Sequence, residues 1–379
     1  MGPIRLFLAF VVAIDHFRQL VLIPEKLDIP EYYKLGMNAG FAVMLFYVIS
    51  GFLISLGLDK KYEANSRGIA AFYKSRFIRI FSLYWPMAII ALVALEPTRN
   101  LFVANLLVDK FTNLFLFGID WRSAYLPADT QTHPTLFGLQ QAWTLGAELT
   151  FYLVAPFLLR SNALAFGGLV ASAAARAYCV HKVGFAEAWT YYFAPSTFLF
   201  FLTGHAARSI SLWFRPLLSP VVGVALLSVC VIALLVPTYV GWDSPRFWIV
   251  VACFSLSLPG IFEGTSRSVA MNSLGNLSYP VYLTHFILLI LLIDHGFIRW
   301  LVKKIGSGTE IVVMFLAIVI VAAVAAHQLL EKPLAGLMRT VRFRSARNVG
   351  VCRTGARAGV CDGGRAESIC STYQQRNQR

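Results

Sequence analysis

Apolar residues in this chain gather into blocks of about 18 to 23, and most polar residues fall in the short stretches between them. At about 1.5 Å per residue, such a block crosses a hydrocarbon core about 30 Å thick, and it is far too long for a buried strand. The pattern predicts an all-α, polytopic membrane protein with about ten transmembrane helices. These lie near 4–23, 36–58, 79–95, 141–159, 162–180, 189–207, 216–236, 245–262, 276–294 and 309–330. The segment 100–118 is also apolar, but Asp109, Lys110 and Asn113 interrupt it, which suits an amphipathic helix lying in the interface.

Composition agrees with this reading. The 379 residues are 58% hydrophobic and 14% charged, against about 25% charged in soluble proteins. The net charge of +14 raises the question of nucleic acid, but its distribution argues against that partner. Eight Arg against Asp362 and Glu367 give the tail Val341–Arg379 a charge of +6. Much of the rest sits in short loops, with no folded basic surface interleaved with aromatics. The stretch between the second and third spans carries Lys60, Lys61, Arg67, Lys74, Arg76 and Arg79, which marks it as cytoplasmic and places both termini inside. The expected organisation is a membrane-embedded domain over 1–340 and a basic, disordered tail over 341–379, multi-pass in a bacterial inner membrane. The first apolar run carries Asp15, His16 and Arg18 without a cleavage site, so it reads as a span rather than a removed signal. Cys179, Cys230 and Cys253 fall in spans as ordinary buried thiols. Cys352, Cys361 and Cys370 recur every nine residues without the spacing of a zinc site, and no metal is expected.

Polar groups inside spans are the sharpest functional signal, because each charge costs about 2.5–3.5 kcal/mol at a helix centre. Arg5 and His16 are eleven residues apart, which returns to within about 20° of the same helix face over about 16 Å. Asp15 and Arg18 can pair at i,i+3. The plain alternative makes Arg5 a snorkelling anchor and His16 a satisfied core group. Arg76 and Arg79 share a face at i,i+3, a spacing that suits a phosphate-rich ligand as well as simple positive-inside anchoring. Thr144 and Glu148 share a face at i,i+4, and Glu148 is a carboxylate in need of a partner or a job; Trp143 and Tyr152 read equally as belt or core aromatics. Ser278, Tyr282 and His285 stand at i, i+4 and i+7, a polar face open to helix–helix hydrogen bonding or to a site. Pro280 suits the first turn of a helix.

Six segments in order resemble the acyltransferase-3 family of integral-membrane O-acyltransferases. They are the Arg5-to-His16 spacing, FYVISGFLIS (46–55), RFIRIFSLYWP (76–86), WTLGAELTFY (143–152), LGNLSYPVYLTH (274–285) and the closing EKP at Glu331 to Pro333. The family often has Pro where Ser82 stands and Ser where Thr144 stands. The resemblance implies His16, Arg5, Asp15 and Glu148 as catalytic residues, and Arg76 and Arg79 as the site for an acyl-CoA co-substrate. It implies Ser50, Trp143, Ser278, Tyr282 and His285 as substrate-binding or supporting residues. It further implies transfer of an acyl group, most often acetyl from acetyl-CoA, to a hydroxyl of a surface glycan or glycolipid beside membrane lipid. No extracytoplasmic hydrolase-like domain is fused, so transfer is expected to finish within the membrane domain. His16 is expected to act as general base or to be transiently acylated, with Asp15 or Glu148 orienting it and Arg5 meeting charge on the donor or oxyanion. The competing expectation is a proton-coupled transporter of a glycan or organic acid, built on the same buried charges.

Overall fold

The computed structural model describes residues 1–28, 38–99, 107–125, 139–183, 188–235 and 244–340, and all regular structure among them is helical. The helices are α1 (Gly2–Phe17), α2 (Ala39–Lys60), α3 (Ser66–Arg99), α4 (Leu107–Phe115), α5 (Ile119–Tyr125), α6 (Trp143–Leu158), α7 (Asn162–Val183), α8 (Ala188–Tyr191) and α9 (Ala194–Trp213). The chain continues through α10 (Pro220–Leu235), α11 (Pro245–Thr265), α12 (Val269–Asp294), α13 (Phe297–Ile305), α14 (Gly308–Ala326) and α15 (Lys332–Thr340). Short π-helical turns extend α1 over Arg18–Leu22 and join α14 to α15 over His327–Glu331. Every expected span falls on a helix. Among the described residues, six helices are long and apolar enough to cross a membrane: α2, α3, α7, α11, α12 and α14 with its continuation. The other expected spans are shorter or richer in polar side chains, as lipid-free contacts inside a bundle permit. The expected tail 341–379 lies outside the described residues.

Two helices begin earlier than their apolar blocks. α3 starts at Ser66 rather than near 79, so Arg76 and Arg79 stand within a continuous helix and not at its entry. The stretch from Ile69 onward lacks Gly and Pro until Pro86, and nothing in it breaks a helix. α12 starts at Val269, which puts Pro280 in the helix interior and corrects the expected first-turn position. Pro280 removes one backbone donor there, a local weakness that membrane helices tolerate among packed neighbours. The interfacial segment is helical over α4, while 100–106 lie outside the described residues. Phe111, Leu114 and Phe115 are exposed and Asn113 is buried. Tyr84 Oη donates to the carbonyl of Asn113 at 2.5 Å and Trp85 Nε1 to that of Leu114 at 2.9 Å, pinning α4 to α3 with its apolar side outward.

The site depends on how closely α1 approaches α12 and α2. A Cβ on Gly2 would lie 1.7 Å from the carbonyl oxygen of Met271, and one on Gly275 would lie 2.8 Å from Gly2 Cα. Only glycine fits this backbone-to-backbone crossing. At its other end α1 holds the start of α2. Asp15 Oδ2 accepts from the Ala39 amide at 2.9 Å, and Asn38 Oδ1 accepts from the Phe41 amide at 2.8 Å. Two otherwise orphaned N–H groups of α2 are thereby satisfied. Gly275→Val should push α1 from α12, lower the melting temperature of the detergent-purified protein by an amount equivalent to about 1–3 kcal/mol, and reduce activity with it. An unchanged melting curve would contradict the crossing.

Candidate active site

α1 presents Arg5 and His16 on one face, and the bundle puts them in different places. His16 Nδ1 lies 2.9 Å from His285 Nε2. The two rings stack with centroids 5.2 Å apart and 11° between planes, and Phe286 meets His16 edge-on at 5.3 Å. His285 is fully buried, and its Nδ1 lies 3.1 Å from the carbonyl oxygen of Val281. The tautomers follow from this hydrogen-bond chain. A carbonyl only accepts, so His285 Nδ1 carries the proton and its Nε2, in the neutral ring, is a lone pair. His16 Nδ1 must then be the donor, which leaves His16 Nε2 as the ring's proton-accepting atom. This is the arrangement of an oriented general base, with a main-chain-anchored imidazole as the orienter.

Neither carboxylate expected in that role makes this contact. Asp15 accepts from Arg18 at 2.7 Å and 3.0 Å through Oδ1, and from Gln19 at 3.1 Å and Ala39 at 2.9 Å through Oδ2. Its work is to tie α1, the first π turn and α2 together. Glu148 accepts from Tyr152 Oη at 3.0 Å and faces a separate cavity, beside Arg5.

Three cavities among the described residues bear on the candidate side chains. The first, of about 690 Å³, is strongly basic: Lys61, Lys74, Arg76, Arg79 and Arg339 line it, against the single acid Glu331. The second, of about 160 Å³, holds Arg5, Ser50, Glu148, Tyr152 and Ser278, and Arg76 and Arg79 form part of its wall as well. The third, of about 390 Å³, holds His16, Asp15, Gln19, Gln141, Trp143 and Tyr191. Val43, Thr144 and Tyr282 border both the second and the third. Adjacent cavities thus share walls from the cationic end to the imidazole, and α1 spans the inner two, with Arg5 in one and His16 in the other.

The two arginines of α3 are not equivalent. Arg79 Nη1 pairs with Glu331 Oε1 at 3.1 Å and lies over the Tyr279 ring at 5.0 Å. Glu331 Oε2 is also 2.6 Å from His327 Nδ1. Arg76 lies 5.8 Å from the Phe72 and Tyr152 rings, and its buried Nε has no partner. Its Nη2 is 3.5 Å from Ser75 Oγ, and with no carboxylate partner among the described residues Arg76 lines two cavities where it can meet a ligand anion.

Of the residues singled out from sequence, Arg5, Ser50, Arg76, Arg79, Glu148, Ser278 and Tyr282 meet at the second cavity, and Asp15, His16, Trp143 and Tyr282 at the third. His285 stands behind His16. Sequence reasoning missed Gln141, whose Nε2 donates to the carbonyls of Tyr282 at 3.1 Å and Leu283 at 3.3 Å. A glutamine just ahead of an apolar helix carries no signal of that contact.

A half-buried imidazole backed by a buried one, with a wall-sharing series of cavities leading to a cationic vestibule, suits group transfer. The chain belongs to the acyltransferase-3 family, whose profile, described as an acyltransferase domain, matches residues 4–327. It is therefore a multi-pass membrane acyltransferase, and the transporter expectation gives way to that assignment. The chain is 27% identical over 330 residues to Nodulation protein 10 of Rhizobium leguminosarum bv. viciae, covering 80% of this chain and 87% of that protein. No solved structure matches it.

His285→Leu removes the acceptor for His16 Nδ1 and should lower acyl transfer by about tenfold or more. His285→Gln, whose amide can accept from His16 and donate to Val281, should restore part of the rate. Equal rates in the two variants of purified, folded protein would contradict the orienting role.

Proposed function

We propose that this enzyme transfers an acyl group, typically acetyl, from acyl-CoA to a hydroxyl of a cell-surface or secreted glycan or glycolipid. It works in a bacterial inner membrane with both termini in the cytoplasm. The observation that carries the proposal is the wall-sharing series of cavities from Arg76 to His16. A CoA thioester is polyanionic at one end and reactive at the other, on a long, narrow arm. Five cationic side chains around one cavity suit the phosphates. The hydroxyls and the Arg5–Glu148 set of the narrow second cavity suit the polar arm. In the third cavity, amides and aromatic rings beside His16 suit a hydroxyl-rich acceptor. Trp143 packs at 4.7 Å on Tyr191 and at 4.6 Å on Tyr192, forming an aromatic wall there.

In the transfer, His16 Nε2 takes the proton of the acceptor hydroxyl as its oxygen attacks the thioester carbonyl. The tetrahedral adduct collapses with cleavage of the C–S bond, and the imidazolium returns the proton to sulfur. His16 is thus used twice, and His285 keeps Nε2 the active nitrogen in both halves. Positioned general-base catalysis of this kind contributes about 10²–10⁴-fold.

His16→Ala in folded protein should abolish acylation of the host's envelope glycans, measured by mass. Arg76→Ala should raise the KM for acetyl-CoA about tenfold, equivalent to about 1.4 kcal/mol, and leave the acceptor KM unchanged. Wild-type acylation by His16→Ala, or an unaltered donor KM in Arg76→Ala, would refute the respective assignments.

A further inference from the structure

We infer that the hydroxyls of Tyr282 and Thr144 form the oxyanion site of the transfer. They hold the thioester carbonyl oxygen and stabilise the charge it gains. The inference rests on the donor and acceptor routes proposed above. At the moment of transfer the acyl carbon is bonded both to the donor's sulfur and to the acceptor's oxygen. If the donor arm occupies the second cavity and the acceptor the third, that carbon lies where the two meet. Three side chains border both cavities: Val43, Thr144 and Tyr282. Val43 has no polar atom. Thr144 Oγ1 and Tyr282 Oη lie 2.8 Å apart, both buried.

The pair is held in place from one residue. Thr144 Oγ1 donates to the main-chain carbonyl of Gln141 at 2.9 Å, and Tyr282 Oη donates to the same oxygen at 3.1 Å. The Gln141 side chain bonds the main chain of Tyr282 and Leu283, which fixes the start of α6 against the middle of α12. Rotation about each C–O bond redirects a proton from that carbonyl to a ligand oxygen with the heavy atoms unmoved. Because the heavy atoms are already held, only this rotation is needed for the two hydroxyls to meet charge as it develops, the kind of stabilisation that is the largest single contribution in many enzymes. Arg5 lines the second cavity and not the third, so it is placed to meet the donor rather than the oxyanion.

The electron count is simple. As the acceptor oxygen adds to the carbonyl carbon, the π pair moves onto the carbonyl oxygen, which faces the two hydroxyls from one side. It returns when the C–S bond breaks, and the thiol leaves with the proton carried by His16. Tyr282 and Thr144 exchange no proton with substrate. They only donate hydrogen bonds.

The test uses the full-length protein in vesicles made from the host's own envelope lipids and glycolipids, with radiolabelled acetyl-CoA. Tyr282→Phe, an isosteric loss of one hydroxyl, should lower kcat about 10²–10³-fold and leave the KM for acetyl-CoA within about threefold. Thr144→Val should lower kcat about tenfold or more, and Thr144→Ser, which keeps the hydroxyl, should retain most of the rate. The Kd of an unreactive acetyl-CoA analogue with CH₂ in place of sulfur should change less than about threefold in all three, because the contact to the uncharged carbonyl is weak and strengthens as charge develops. The inference is overturned if Tyr282→Phe turns over at the wild-type rate, if Thr144→Val equals Thr144→Ser, or if the loss falls on analogue binding instead of kcat. Wild-type protein that binds the analogue but moves no label into glycolipid would instead overturn the proposed function, and this inference with it.

Discussion

The hydrogen bond between His16 and His285 is the interaction around which this molecule is organised. It joins the first helix to the twelfth across 269 residues of sequence, and the same two helices also meet backbone to backbone at Gly2 and Gly275. The buried imidazole of His285 needs partners, since an unpaired polar group in a low-dielectric interior is costly. Pairing one ring with the other, and the second ring with a main-chain carbonyl, meets that need. It leaves a single basic nitrogen on a residue that borders a cavity. Stability and reactivity come from the same contact.

The remaining intramembrane charges are divided by place. Asp15 is consumed by Arg18, Gln19 and the start of α2, and it keeps α1 and α2 in register. Arg79, Glu331 and His327 form a chain joining α3 to the second π turn. These groups build the walls. Asp15, Arg18, Arg79 and Glu331 line cavities too, and Arg5, Arg76 and Glu148 are the intramembrane charges not tied into such a chain. The EKP segment therefore belongs to the same wall as the arginines of α3, although 252 residues separate Arg79 from Glu331.

Much of this was legible in the sequence. Block length reported an all-helical membrane protein, with six of the described helices long and apolar enough to cross a membrane, and the eleven-residue spacing placed Arg5 and His16 on one helix. Periodicity also grouped Ser278, Tyr282 and His285, but it could not say what each would face. Ser278 borders the donor-side cavity, Tyr282 borders two cavities, and His285 turns to His16. Periodicity gives a face and not a neighbour, and the neighbour was decided by packing between distant helices. The early start of α3 was hidden because basic residues that look like a loop are also good helix formers. Pro280 was misplaced because a bundle interior tolerates the missing hydrogen bond that would end a helix in water. Asp15 pairs with Arg18 as their i,i+3 spacing suggested, and adjacency in sequence to His16 turns its carboxylate toward α2.

The central claim is that one continuous route carries a thioester from the basic vestibule to the imidazole of residue 16. The most direct measurement is an electron cryomicroscopy structure of the full-length protein with the unreactive CH₂ analogue of acetyl-CoA. The expected result is density for the nucleotide phosphates against Arg76, with the arm running past Arg5 and Glu148. The acetyl carbonyl should lie within hydrogen-bond reach of Tyr282 and face His16. A nucleotide bound elsewhere, or an acetyl end directed away from the His16 cavity, would contradict the claim.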